Sequence, residues 1–147
     1  MEGMPNLIKE FMTKQVMTID IRATVFDAAE VMAQDPQADG YVVVLKQGKP
    51  AGIVTERDIV QKVVSKRLDP ATTSVASIMS APLIAIDPDA DLLRAPELMN
   101  EHNISKLVVV KDDILYGVIT AKVVGSQCNT YVNQAIRDVI RWTNIGF

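Results

Sequence analysis

Thr55 and Asp58, three residues apart in "GIVTERD" (52–58), are the pair whose types and spacing could do chemistry. They follow a short apolar run and open what reads as a helix. A Thr with an acid three residues on has the form of a capping box, in which each side chain accepts the other residue's backbone N–H. An acid in a first helical turn stabilises by about 0.3–1 kcal/mol with no ligand present. The same position also suits an anion, because free N–H groups and the helix dipole converge there. Spacing alone leaves capping and binding both open, and "TVFD" (24–27) has the same form. A near copy, "GVITAKV" (117–123), keeps Thr120 but carries Val123 in place of the acid.

Other reactive side chains give less. His102 is the only histidine, at a helix end that favours a cation, with no second His or Cys nearby to make a zinc site. Cys128 is the only cysteine, which excludes an internal disulfide and any multi-cysteine cluster, and it has no CxxC partner. "DPDAD" (87–91) lacks the length and Gly placement of a calcium loop and reads as a strand-to-helix turn. There is no Ser–His–Asp set, Walker loop or GxGxxG. We therefore expect no catalytic residues and no metal ligands.

The 147 residues carry 15 basic and 18 acidic side chains for a net charge of −3, and 48% are hydrophobic. That composition supports a buried core and supplies no basic face for nucleic acid. The opening residues do not read as a signal peptide, and the apolar runs "YVVVL" and "KLVVV" are strand-sized rather than membrane-spanning. A soluble, cytoplasmic protein with no membrane or nucleic-acid partner is the expectation.

The elements that must hold Thr55 and Asp58 come twice. "EFMTKQVMTIDIRATVFDAAEVM" (10–32) lies over "SIMSAPLIAIDPDADLLRAPELM" (77–99), and "GYVVVLKQGKPAGIVTERDIV" (40–60) over "KLVVVKDDILYGVITAKVV" (106–124). Each copy reads β-α-β-β-α. A short extended piece leads to a helix capped by Thr24 or Asp91, then two β-branched runs cross a turn and a last helix starts at Thr55 or Thr120. Pro96 should kink its helix or delay its start. The fold class expected is mixed α/β (α+β), with a first repeat at 7–66, a second at 74–126 and a helical tail at 127–147. In the tail, Val132, Ala135, Ile136, Val139 and Ile140 share one helical face near Trp142.

The doubled "FMTKQVMTID" and "IMSAPLIAID", the paired "YVVV" and "LVVV" strands and the strand-to-helix "GIVTERD" together resemble a tandem pair of cystathionine-β-synthase (CBS) domains, or Bateman module. The resemblance covers Leu7 to Val124. It implies two repeats packed as a pseudo-symmetric pair, acting as a regulatory module rather than an enzyme. It also implies an adenosine-containing ligand (AMP, ADP, ATP or S-adenosylmethionine) in a cleft between the repeats, with no cofactor required. On the family's pattern Asp58 takes the ribose hydroxyls, Thr55 holds ribose or phosphate, and Ile53 flanks adenine. A carboxylate suits two adjacent hydroxyl donors, each such bond contributing about 1.5–3 kcal/mol. The adenine side would come from Pro82, Ile84, Ile104 and Ser105 of the second repeat.

For phosphate, "ADGY" (38–41) offers an acid and no base, leaving Arg57 or Lys106 to compensate. That shortage favours AMP, adenosine or S-adenosylmethionine over ATP. A second, weaker site would involve Thr120, Met17, Tyr41 and Lys106. With Val123 it lacks the ribose acceptor, so one competent site per chain is expected. The resemblance further implies a homodimer and a separate protein target of unknown identity. The alternative is an oligomerising adaptor with a vestigial pocket, in which Asp58 only caps its helix.

Overall fold

The computed structural model describes residues 6–34 and 40–127. Ala38, Asp39, Cys128 and the apolar face expected from Val132 to Trp142 lie outside the described residues. In chain order the elements are α1 (Ile8–Phe11), β1 (Thr18–Asp20), α2 (Val25–Gln34), β2 (Tyr41–Lys46) and β3 (Lys49–Thr55). Next comes α3 (Glu56–Ile59), which runs on as a π-helical turn at Val60–Val64, and then a 3₁₀ turn at Val75–Ser77. The second half contains β4 (Ala85–Ile86), α4 (Arg94–His102), β5 (Lys106–Lys111) and β6 (Ile114–Thr120), followed by helical residues 121–127.

Two three-stranded sheets result, ordered β1-β2-β3 and β4-β5-β6. In each, the first pair is parallel and the second antiparallel, and the antiparallel pair shifts register at the equivalent place, Val44/Leu45 or Val109/Val110. The hairpin turns also correspond. Gln47 and Gly48 have φ of 52° and 80°, Asp112 and Asp113 of 53° and 62°. Positive φ at both central residues matches the right-handed twist of the flanking strands. This is a mixed α/β fold built from one unit used twice.

β2 and β5 read as unbroken apolar runs because both their faces are covered. Val42 and Val44 point to α2, packing with Val25, Ala28 and Met32, while Tyr41 and Val43 point the other way. Leu107 and Val109 pack likewise with Leu92, Ala95 and Met99 under α4. Between the sheets, Tyr41 and Val43 meet Val108 and Val118. The sheets therefore form the two inner layers, with a helix layer outside each.

Each repeat is completed by the segment that precedes the other. Ile8 is fully buried in the core of the second repeat, and the backbone joins there through Ile8 N–H to Ala90 O (2.9 Å) and Leu92 N–H to Asn6 O (2.7 Å). Val75 and Ile78 fill the core of the first, where Val25 N–H donates to Thr73 O (2.8 Å) and Val75 N–H to Ala23 O (3.0 Å). The same exchange explains the glycines of both strand-to-helix motifs. A Cβ on Gly52 would lie 2.9 Å from Ser80 O, and one on Gly117 would run into Thr13 O.

Two local expectations are corrected or sharpened. Thr24 does cap α2, with Asp27 N–H donating to its hydroxyl (3.1 Å) and Thr24 N–H donating back to Asp27 (3.0 Å). Asp91 does not cap α4: it accepts from Leu93 N–H (2.8 Å), and the helix starts later, with Leu93 as an N-cap that has no side-chain bond. Pro96 is the reason for the delay. As third residue of α4 it stands where an N–H would have no intrahelical partner, so the helix is not kinked.

Candidate functional site

β3 delivers the chain to Thr55 in an extended conformation (φ −113°, ψ 163°), and α3 begins at once. Both halves of the capping box form. Asp58 N–H donates to Thr55 Oγ1 (3.1 Å), and Thr55 N–H donates to Asp58 Oδ2 (2.9 Å). The Thr55 hydroxyl adds a third bond to the same Oδ2 (3.0 Å). Oδ1 faces Lys62 Nζ at 3.1 Å, one turn along, and Lys62 also donates to Ile78 O (2.9 Å). The Asp58 side chain is 14% exposed.

Next to Asp58 lies a cavity of about 330 Å³ between the repeats. The first repeat lines it with Ile53, Thr55, Arg57 and Asp58, the second with Pro82, Ile84, Ile104 and Ser105. All eight residues expected at the main site thus share one cavity. Gln61, Ser80, Leu83, Asn103, Lys106 and Val108 complete the wall. Ser80 reaches the wall through its pairing with Ile53 (N–H to O, 2.9 Å), which repeats that of Thr13 with Val118 and is a long-range contact that local spacing does not announce. Asn103 adopts αL backbone (φ 53°) as the C-cap of α4 and so turns the chain into the wall. Apolar Ile53, Leu83, Ile84 and Val108 offer a slot for a flat ring. Asp58, Arg57 and Lys106 supply one negative and two positive charges.

The candidate acids outside the cavity have structural partners. In "DPDAD", Asp87 accepts from Asp89 N–H (2.8 Å), and Asp89 bridges Lys9 (2.9 Å) and Lys111 (3.1 Å). Hydrogen bonds from Lys9 and then Lys111 hold the Asp89 carboxyl below its ordinary value of 3.8. His102 ends α4. Among the described residues no group of three or more His, Cys, Asp or Glu could hold a metal ion, and no helix is long and apolar enough to cross a membrane.

A family model for the CBS domain matches twice, at residues 8–65 and 75–123. The chain belongs to the CBS-domain family. It is similar to the CBS domain-containing protein YhcV of Bacillus subtilis, 33% identical over 76% of this chain and 78% of that protein. Some other curated relatives are longer, this chain spanning 48% and 41% of two of them. Among solved structures, a hexameric CBS-CP12 protein from bloom-forming cyanobacteria superposes with a TM-score of 0.75 at 31% identity, covering 83% of this chain and 67% of that one. The CBS domain protein PAE2072 of Pyrobaculum aerophilum, complexed with AMP, superposes at 0.73 with 26% identity, covering 80% and 89%.

Within this CBS pair the two strand-to-helix motifs are not equivalent. Thr120 is 6% exposed, and its hydroxyl accepts from Val123 N–H (3.3 Å), half a capping box with no carboxylate to complete it. Of the four residues expected at the second site, Thr120 and Lys106 line a small pocket of about 210 Å³ with Ser105, Ala121 and Lys122. Tyr41 is buried between the sheets, its ring 5.8 Å from Lys106 Nζ, and Met17 packs against the first repeat's core. The CBS pair also places Glu56 differently from its counterpart Ala121. Glu56 N–H donates to Gly40 O and Ala121 N–H to Ser105 O (both 2.8 Å), but the Glu56 carboxyl fills the space beside Gly40.

Proposed function

We propose that the protein is a regulatory module that binds one adenosine-containing ligand per chain in the cavity beside Asp58. The observation that carries this is the joint lining of one cavity by Thr55 and Asp58 from one repeat and Pro82, Ile84, Ile104 and Ser105 from the other. A ligand seated there touches both repeats, so it can favour one arrangement of them over another, as a signal must. The AMP complex of the Pyrobaculum relative supports an adenosyl ligand. With Arg57 and Lys106 as the cations of the wall, one phosphate is better matched than three, and AMP leads ADP, ATP, adenosine and S-adenosylmethionine. The conformational change passes to a partner protein from a homodimer, for which exposed Val60 and Val64 offer apolar contact.

The capping box supports a second reading, an oligomerising adaptor in which Asp58 only holds α3. Thermal unfolding with each of the five ligands separates the two. A ligand at about 100 times its dissociation constant adds about 2.7 kcal/mol of stability. A response to one or more of them is expected; none to any would favour the adaptor.

A further inference from the structure

Both carboxylate oxygens of Asp58 are engaged, by partners of unequal strength. Oδ2 accepts from the Thr55 N–H and hydroxyl, and Oδ1 faces Lys62. A carboxylate offers about four acceptor positions, so roughly one remains. Two adjacent ribose hydroxyls need two, and one present partner must yield. The Thr55 N–H is a part-buried backbone donor, costly to leave unpaired. The Thr55 hydroxyl is fixed from both sides, because it also accepts from Asp58 N–H. The Lys62 side chain is 44% exposed, so water can take over its ammonium group.

We propose that Lys62 competes with the ligand for Asp58 and is displaced by the ribose. This rests on the nucleoside reading above and adds to it a residue that sets affinity and charge preference. Paired or displaced, the Lys62 ammonium stays one helical turn from Asp58 and offsets its charge, so Arg57 and Lys106 leave the wall net positive and suited to a phosphate. Without Lys62, the bare carboxylate binds hydroxyls more strongly and repels phosphate. Lys62 also donates to Ile78 O, in the segment that runs on to Ser80, so its ammonium keeps one protein acceptor after leaving Asp58.

The test is calorimetric titration of adenosine and AMP into the wild type and Lys62→Met, which keeps the apolar stem, with Lys62→Gln as a second variant in case Met impairs folding. Adenosine should bind on the order of two- to fivefold tighter to the variant, the scale of a partly exposed ion pair. AMP should gain less, so its advantage over adenosine falls. In parallel, amine-selective labelling should modify Lys62 of the free wild type more slowly than exposed Lys66, and adenosine should speed labelling of Lys62. Unchanged adenosine affinity in both variants, with labelling of Lys62 indifferent to adenosine, overturns the competition and leaves the nucleoside site standing. If neither compound binds the wild type, site and competition fall together.

Discussion

Thr55 and Asp58 hold each other through three hydrogen bonds of 2.9, 3.0 and 3.1 Å, at the point where a strand of one repeat becomes a helix on the wall of a shared cavity. The pair is a helix cap and, in the function proposed above, the acceptor for a ribose. Its chemistry is therefore tested against a cap that lies outside this cavity.

Thr24 and Asp27 provide that cap on α2. Asp27→Ala and Asp58→Ala should each lose roughly 0.3–1 kcal/mol in denaturant unfolding, the worth of an acid in a first helical turn. Only Asp58→Ala should also weaken nucleoside binding. Equal effects of the two on binding would show that helix stability, not the carboxylate, governs the site.

Gly117→Ala should destabilise by about 1–3 kcal/mol, an overpacking cost. The new methyl would meet Thr13 O, a backbone atom that cannot swing aside. Thermal unfolding checks it, and Gly48→Ala is the informative contrast. At Gly48 a Cβ meets nothing within 4 Å but the φ of 80° is unfavourable, so its cost is conformational alone.

Val123→Asp should complete the cap of residues 121–127 without creating a second nucleoside site. Tyr41 is buried between the sheets, and the Glu56 carboxyl occupies the space beside Gly40, the counterpart of Ser105. Calorimetry should still find one ligand per chain. Two would show that the acid alone distinguishes the repeats.

Asp89 links Lys9 of α1 to Lys111 of β5, and its pKa is lowered from 3.8 on folding. A lowered folded value means its stabilisation is complete above 3.8 and is lost as pH falls through the folded value. The stability difference between wild type and Asp89→Asn should thus be flat near neutral pH and shrink in acid. It should also shrink with added salt, because the groups are exposed. Acid and salt titrations of unfolding check both.

The repeat made much of this fold legible, since two copies of one pattern fix element order and align Asp58 with Val123. Part of the cavity wall could be read from the family resemblance, because those side chains sit at fixed places in the repeat, but Gln61, Ser80, Leu83, Asn103 and Val108 were not among them. What escaped the sequence was long-range. Ile8 and Val75 look like members of their own repeats, yet each fills the core of the other, and no local periodicity encodes that exchange. The spacing of Asp58 and Lys62 is a helical i,i+4 pair and was readable as such. Its second tie, to Ile78 O, depends on where the linking segment packs. Pro96 posed a choice between a kink and a late start that the position of Arg94 resolves.

The central claim is one adenosyl ligand held by Asp58 between the repeats, and calorimetric titration of AMP into wild type and Asp58→Ala tests it most directly. The account predicts one AMP per chain and a loss of about 10–100-fold in affinity in the variant, the worth of one or two charge-assisted hydrogen bonds. AMP binding that Asp58→Ala leaves unchanged would contradict it.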